Sequence, residues 1–182
     1  NSINSNEGFA INGGKIIDQN TISNHEEYVL QCNDQSIITN NIFESNKGFL
    51  ASGSKIFNDN IVKYNESDSI FINAESSLEF KNNIIEDNEV NETFISTSNR
   101  VNFSNNLIKN NVIYSGSLLH TLNELIINGP DLDQIDYPLS LKDNQIINNT
   151  VYGHLIKSQN IQAFQNNQIQ FNQVYNFNMI DL

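Results

Sequence analysis

The stretch FKNNIIEDN, running from Phe80 to Asn88, decides the fold of this chain. A short unit, an apolar residue followed three positions later by asparagine, occurs in it twice. The two copies are Phe80 with Asn83 and Ile85 with Asn88. Such an Asn-rich stretch is typical either of low-complexity filler or of a structural repeat. Recurrence at a regular interval distinguishes the two, because filler has no reason to keep a period.

The paired unit recurs along the whole sequence, at intervals of mostly 19 to 23 residues. The first asparagines of the pairs are Asn20, Asn41, Asn60, Asn83, Asn106, Asn144 and Asn167. The second asparagines, each five residues later, are Asn46, Asn65, Asn88, Asn111, Asn149 and Asn172, and His25 takes the corresponding place in the first pair. A half-unit from Ile3 to Asn6 opens the chain and reads as the second half of a further repeat.

A third apolar run precedes each pair by about eight residues, as in Ile70-Phe71-Ile72 before Phe80. These runs are too short for helices, which need apolar residues at three- and four-residue spacing over ten or more positions. They are rich in Ile, Val and Phe and are bounded by Asn, Gly, Ser or Asp, which favours strands and turns. The sequence therefore predicts an all-β parallel β-helix of about eight coils, each of 19–24 residues with three short strands. A leucine-rich repeat is disfavoured because its Leu-x-x-Leu-x-Leu frame is absent.

The two asparagine columns follow from coil stacking. Equivalent positions of successive coils lie about 4.8 Å apart, the spacing of paired strands, so identical Asn side chains can hydrogen-bond in a ladder. Asparagine also tolerates the left-handed backbone that a sharp corner requires. We therefore expect all thirteen asparagines to form structural ladders at the corners, and His25 to occupy a turn position in the second ladder.

Residues 1–182 are expected to form a single β-helix segment of a larger chain, open at both ends. Residues 120–140 depart from the repeat and contain both prolines, so we predict a loop insertion or a degenerate coil there, with Leu125 to Ile127 still in a strand. The net charge of −12, with Arg100 as the single arginine, disfavours nucleic acid and anionic membranes as partners. Cys32 is the only cysteine and is expected to pack as a small apolar group.

Few residues remain as candidates for chemistry. Asp131, Asp133 and Asp136, with Lys142 nearby, form a weak candidate for a metal site, and a solvated acidic loop is the favoured explanation of these residues. His120 and His154 flank apolar strands without a paired Asp or Ser at the spacing of a catalytic triad. Four glycosylation sequons begin at Asn65, Asn91, Asn102 and Asn148, about as many as chance provides in an Asn-rich chain.

The Phe-x-x-Asn units at Phe43, Phe57, Phe80, Phe103 and Phe164 resemble those of right-handed parallel β-helix proteins of the pectin-lyase-like fold. Within that fold they are similar to the repeats of polymorphic outer membrane proteins and related adhesins. The resemblance covers nearly the whole chain, and the second motif of those repeats is matched only in part, by Gly13 to Ile16. It implies a surface or secreted protein, often adhesive. The Asn and Ile bias also resembles that of proteins from AT-rich eukaryotes such as ciliates.

We therefore expect a non-catalytic structural or adhesive segment of a larger cell-surface or secreted protein, without a cofactor. Its partners would be other segments of the same chain and a protein or glycan ligand, with no direct membrane insertion. The alternative is a module that binds or cleaves polysaccharide, since the same fold carries lyases and hydrolases. The galacturonase pattern is not matched, because no two Asp residues are adjacent and Gly153-His154 is followed by Leu155. An intracellular assembly is a third reading, compatible with the free cysteine.

Overall fold

The computed structural model describes residues 1–4, 10–48, 51–69, 71–74, 78–97, 101–121, 139–158 and 161–181. Regular structure in these ranges consists of strands, and no helix occurs among them. In chain order the strands are β1 (Ser2–Asn4), β2 (Ile11–Asn12), β3 (Ile16–Asp18), β4 (Thr21–Ser23), β5 (Leu30–Thr39), β6 (Ile42–Glu44), β7 (Ala51–Asn58), β8 (Ile61–Lys63), β9 (Glu66–Ser67), β10 (Ile72–Ala74), β11 (Leu78–Lys81), β12 (Ile84–Glu86), β13 (Glu89–Val90), β14 (Ile95–Thr97), β15 (Val101–Ser104), β16 (Leu107–Lys109), β17 (Val112–Ile113), β18 (Leu119–Thr121), β19 (Leu139–Lys142), β20 (Gln145–Ile147), β21 (Thr150–Val151), β22 (Ile156–Ser158), β23 (Ile161–Gln165), β24 (Gln168–Gln170), β25 (Gln173–Val174) and β26 (Ile180–Asp181).

The described strands form three parallel sheets. Sheet I has thirteen strands, sheet II has eight in the order β1-β4-β6-β8-β12-β16-β20-β24, and sheet III has five in the order β25-β21-β17-β13-β9. Each strand of sheet II pairs with its equivalent one coil away, for example Ile84 with Ile61 on one side and with Leu107 on the other. The predicted all-β parallel solenoid is confirmed.

The coils differ from the prediction in two details. Sheet I takes two strand segments from each middle coil, such as β10 and β11, and in β5 and β7 these segments are continuous. The solenoid makes about six turns rather than the predicted eight.

The core lies between the sheets and consists of residues stacked on their equivalents. Phe80 is fully buried, with ring centroids 5.1 Å from Phe57 and 4.9 Å from Phe103. Ile85 is likewise fully buried in the column that sheet II contributes. Fully burying each such side chain contributes roughly 1.5–3 kcal/mol, so stability is spread along the stack as a sum of coil-to-coil interfaces.

The asparagine ladders are confirmed as chains of side-chain hydrogen bonds. Asn88 is typical: its Nδ2 donates to Asn111 Oδ1 at 2.9 Å and to the carbonyls of Val62 and Glu86, both at 3.0 Å. Its Oδ1 accepts from the backbone N and from the Nδ2 of Asn65, at 3.0 and 2.9 Å. A side-chain amide can accept a hydrogen bond from one coil and donate a hydrogen bond to the next at the same time, which explains why asparagine occupies these buried positions.

The assignment of the left-handed backbone to the ladder asparagines is wrong. At each described ladder corner the positive φ belongs to the residue immediately before the ladder position, as at Asn82 (φ 56°) before Asn83 and Asp87 (φ 56°) before Asn88. The physical reason is that the left-handed residue turns the chain at the corner, and the side chain of the next residue then points inward into the ladder.

One ladder member escaped sequence reasoning. Ser2 pairs with Thr21, so Asn1 lies beside Asn20, and its Nδ2 donates to Asn20 Oδ1 at 3.2 Å. The opening half-unit from Ile3 to Asn6 falls partly outside the described residues. The repeat is recognised by an apolar residue three positions before the asparagine, and this signal is not present for Asn1.

Residues 122–138, including Leu125 to Ile127, lie outside the described residues. The coil continues in register on both sides, with Val101 opposite Leu139 and Leu119 opposite Ile156. The ladder also spans this interval, since Asn106 Nδ2 donates to Asn144 Oδ1 at 3.0 Å. A coil can therefore contain many additional residues without loss of the ladder.

Candidate binding faces

The outer face of sheet II carries a stripe of aliphatic side chains. Ile42, Ile61, Ile84 and Leu107 occupy equivalent positions in four successive coils and project away from the core, because their neighbours along each strand are buried inside. They are half-buried by one another, and Ile84 is 37% exposed. We call these four residues the aliphatic stripe.

A charged column runs beside the aliphatic stripe, two residues further along each strand. It consists of Glu44, Lys63, Glu86 and Lys109, so the sign of the charge alternates from coil to coil. Lys63 Nζ lies 3.1 Å from Glu44, and Lys109 Nζ lies 2.8 Å from Glu86. The hydrogen bond to Glu44 raises the pKa of Lys63, and the hydrogen bond to Glu86 raises the pKa of Lys109.

Three tyrosines form a stack at the corner that follows sheet III. Tyr114, Tyr152 and Tyr175 are each 40–47% exposed, with ring centroids 6.3 Å and 4.9 Å apart along the stack. Tyr114 donates its hydroxyl to Glu89 at 3.0 Å, and this bond raises the tyrosine pKa. Exposed aromatic edges beside hydroxyl groups suit ligands that combine apolar and polar surface, such as sugars.

His154 has an aspartate neighbour in space that its sequence spacing did not indicate. Its Nε2 lies 3.6 Å from Asp181 Oδ2, and its ring contacts Phe177 with centroids 4.8 Å apart. The two residues lie in neighbouring coils and belong to different columns of the repeat, so sequence spacing gave no signal for the pair. His120 lies nearby on sheet I, and burial lowers its pKa.

His25 occupies its expected place in the second ladder but does not continue the ladder. The residue is fully buried, and neither ring nitrogen has a hydrogen-bond partner among the described residues. The backbone N of His25 still donates to Asn46 Oδ1 at 3.1 Å. The imidazole is therefore a local defect in an otherwise satisfied polar column.

We expect His25→Asn to stabilise the protein. The new amide would donate to Asn46 Oδ1 and to the carbonyl of Ile3, as the other ladder members do, and would remove two unsatisfied nitrogens, a gain of about 1 kcal/mol. The measurement is urea unfolding followed by circular dichroism. His25→Ala is the control: it removes the ring without supplying an amide and should destabilise by leaving a cavity. Lower stability of His25→Asn than of the parent would contradict the expectation.

The four sequons differ in accessibility. Asn65 is 1% exposed and holds three ladder hydrogen bonds through Nδ2, so its amide is unavailable in the folded chain. Asn91, Asn102 and Asn148 are exposed. Asn91 Nδ2 donates to Asp68 at 2.7 Å and Asn148 Nδ2 donates to Asn110 at 2.9 Å, so both would have to release a partner on modification.

The candidate metal ligands Asp131, Asp133 and Asp136 lie outside the described residues, so the metal prediction remains a prediction. Within the described ranges, no three His, Cys, Asp or Glu side chains are grouped as metal ligands. Cys32 is buried as expected, and burial raises the pKa of its thiol. No helix in the described part of the chain is long and apolar enough to cross a membrane.

Comparison with known families decides the assignment of the fold. Residues 1–132 match the profile of the family described as "Right handed beta helix region". The chain belongs to the right-handed β-helix family. Right-handed β-helices include enzymes of the pectate-lyase type as well as proteins without catalytic activity, so membership in the family does not assign a reaction. No curated protein and no solved structure gives a significant match.

Proposed function

We propose that this right-handed β-helix is a non-catalytic, rigid segment of a larger cell-surface or secreted protein, which serves as a spacer or presents a binding face. The observation that carries the proposal is the hydrogen bonding of the ladders. In the first ladder the bonds run from Asn1 to Asn167, with every step between 2.8 and 3.4 Å. Satisfied buried amide networks rigidify a structure, which is the property that a spacer needs.

Rigidity is directly measurable by electron spin resonance between two labels. Lys47 and Gln173 are exposed and occupy the same column, five coil steps apart. At 4.8 Å per step their separation is about 24 Å. Spin labels on Lys47→Cys and Gln173→Cys, in a Cys32→Ala background, should give one narrow distance distribution near this value. A broad or bimodal distribution would contradict the role of a rigid spacer.

The extracellular location is tested on the parent protein in its own cells. Labelling of intact cells with a membrane-impermeant reagent, followed by detection of this segment, should place it outside. Glycan on Asn91, Asn102 or Asn148 would support the same conclusion. An exclusively intracellular pool would favour the intracellular assembly instead. Other segments of the chain, and a protein or glycan ligand, are the proposed partners.

A second candidate function is the binding or cleavage of polysaccharide. The stack of Tyr114, Tyr152 and Tyr175 favours sugar binding, and the His154–Asp181 pair supplies the one close histidine–carboxylate contact among the described residues. Incubation with acidic and neutral polysaccharides, with chain length of the products as readout, tests cleavage. Activity that is lost on changing His154 to Ala, or Asp131, Asp133 or Asp136 to Asn, would replace the non-catalytic proposal.

A further inference from the structure

We propose that the outer face of sheet II is a self-association surface, and that its occupant is a second copy of this chain in antiparallel orientation. The proposal concerns a face of the described coils and is independent of the spacer or enzyme reading. It rests on three properties of that face: the order of its charges, the position of the aliphatic stripe, and the residues in the flanking columns.

The order of charges is self-complementary. Glu44, Lys63, Glu86 and Lys109 follow one another at intervals of one coil. A two-fold axis parallel to the strands, passing between Lys63 and Glu86, reverses the order of coils in the second copy. Glu44 then faces Lys109 of the second copy, and Lys63 faces Glu86. A column of alternating sign with an even number of members is complementary to its own reversal, as a two-fold interface requires.

The same operation brings the apolar residues together. The two-fold axis preserves the position along the strand, so the aliphatic stripe of one copy lies on the aliphatic stripe of the other. Ile42 faces Leu107 of the second copy, and Ile61 faces Ile84. A parallel arrangement centred on the aliphatic stripe would instead place the charged column opposite the column of Asn40, Asp59, Asn82 and Asn105, where only Lys63 meets an opposite charge. The antiparallel arrangement is therefore favoured, because all four members of the charged column then meet an opposite charge.

The flanking corner columns are compatible with the same register. Tyr64 faces Asp87 of the second copy, a donor opposite an acceptor, and Asp59 faces Asn82. No carboxylate meets another in these four coils. This matters because the whole chain carries a net charge of −12, whereas the charged column itself carries none. The face is thus a neutral, partly apolar surface on a strongly acidic molecule, the place where copies can approach with the least repulsion.

The size of the face predicts a weak and reversible contact. Eight strands at about 4.8 Å spacing, each contributing about four residues at about 3.3 Å, give roughly 500 Å² per copy. This is below the roughly 800 Å² per partner of a standard stable interface, so a dissociation constant of about 10 μM or weaker is expected. The aliphatic stripe would supply most of the affinity, and the charges would fix the register, since exposed ion pairs add little energy.

A charge exchange tests the proposal. Sedimentation equilibrium of the unmodified chain up to about 1 mM should show a reversible monomer–dimer equilibrium. The double variant Lys63→Glu/Lys109→Glu has a wholly acidic column, and Glu44→Lys/Glu86→Lys has a wholly basic one. Each should be monomeric alone, because like charges then face each other, and an equimolar mixture should form the dimer again at least as tightly as the parent.

Two further double variants test whether dimerisation depends on the outer face of sheet II or only on the net charge of the chain. Lys47→Glu/Lys157→Glu makes the same change in net charge on other faces and should leave the dimer intact. Ile61→Thr/Ile84→Thr keeps a strand-forming residue, as Thr21 already occupies the equivalent place, and should weaken the dimer at least tenfold. A chain that stays monomeric to about 1 mM, a dimer that all the face variants retain, or a mixture that fails to re-form the dimer would each overturn the proposal.

Discussion

Replacement of Asn88 by aspartate should be among the most destabilising single changes in the chain, at about 3–5 kcal/mol. The substitution is nearly isosteric and leaves the packing of this fully buried position unchanged. It replaces the Nδ2 donor by an oxygen that faces the carbonyls of Val62 and Glu86 and the Oδ1 of Asn111, at the former hydrogen-bond distances of 2.9–3.0 Å. Three attractive contacts become repulsive, and the buried carboxylate keeps the two hydrogen-bond donors of Asn65 but gains no countercharge.

The pH dependence of the Asn88→Asp variant identifies the cause. Burial and the facing oxygens should raise the pKa of the new carboxyl above the ordinary aspartate value of about 3.9. The folded variant then binds a proton more readily than the unfolded chain. The loss in free energy of unfolding relative to the parent should therefore shrink as the pH falls towards about 4 and grow as the pH rises. Urea unfolding at several pH values measures this. Asn105→Asp is the matched control, since Asn105 is exposed and Asp tolerates its left-handed backbone. Equal losses in the two variants would contradict the importance of the ladder.

Gly153→Ala should destabilise by about 3 kcal/mol or more through a purely steric effect. A Cβ at this position would overlap the carbonyl oxygen of Gly116 in the preceding coil and lie 2.5 Å from the carbonyl carbon. Both obstacles are backbone atoms, so relief requires two stacked coils to separate. Separation would break the neighbouring contacts, including the hydrogen bond from Tyr152 N to the carbonyl of Ile113 at 2.9 Å.

Gly13→Ala supplies the comparison for Gly153→Ala. Gly13 has a φ of 86°, whereas a Cβ there would meet no atom within 4 Å. Its substitution should cost about 1–2 kcal/mol from backbone strain alone. Thermal unfolding of both variants therefore distinguishes the steric cost of closely stacked coils, tested at Gly153, from the cost of a left-handed backbone, tested at Gly13. A smaller loss for Gly153→Ala than for Gly13→Ala would show that the coils can move apart at low cost.

Sequence predicted the features that repeat in every coil. The spacing of Phe80, Asn83, Ile85 and Asn88 placed two residues in the core and two in ladders. This works because equivalent positions of stacked coils have the same surroundings and therefore favour the same type of residue. The positive-φ positions were missed because their exposed side chains share no single type, as Gln19, Tyr64 and Phe171 show beside the more frequent Asn and Asp. At those positions the turn constrains the backbone and leaves the side chain free.

The candidate faces were predictable only in part. The alternation of Glu44, Lys63, Glu86 and Lys109 becomes visible once the repeats are aligned on their ladder asparagines, so sequence contains that signal. The His154–Asp181 pair joins two different columns diagonally across coils, and the repeat period alone cannot predict it. The defect at His25 was located from sequence, but the lack of partners for its ring depends on side-chain geometry.

The ladders also give the molecule an electrical direction. In both ladders the bond between neighbouring asparagines runs from the Nδ2 of one coil to the Oδ1 of the next, so the C=O dipoles of the side-chain amides point the same way along the solenoid axis. As in an α-helix, aligned amide dipoles add to a partial negative charge at one end and a partial positive charge at the other. The end towards Asn1 is the negative pole, and the end towards Asn172 is the positive pole. Two such rods lying side by side attract when they are antiparallel and repel when they are parallel.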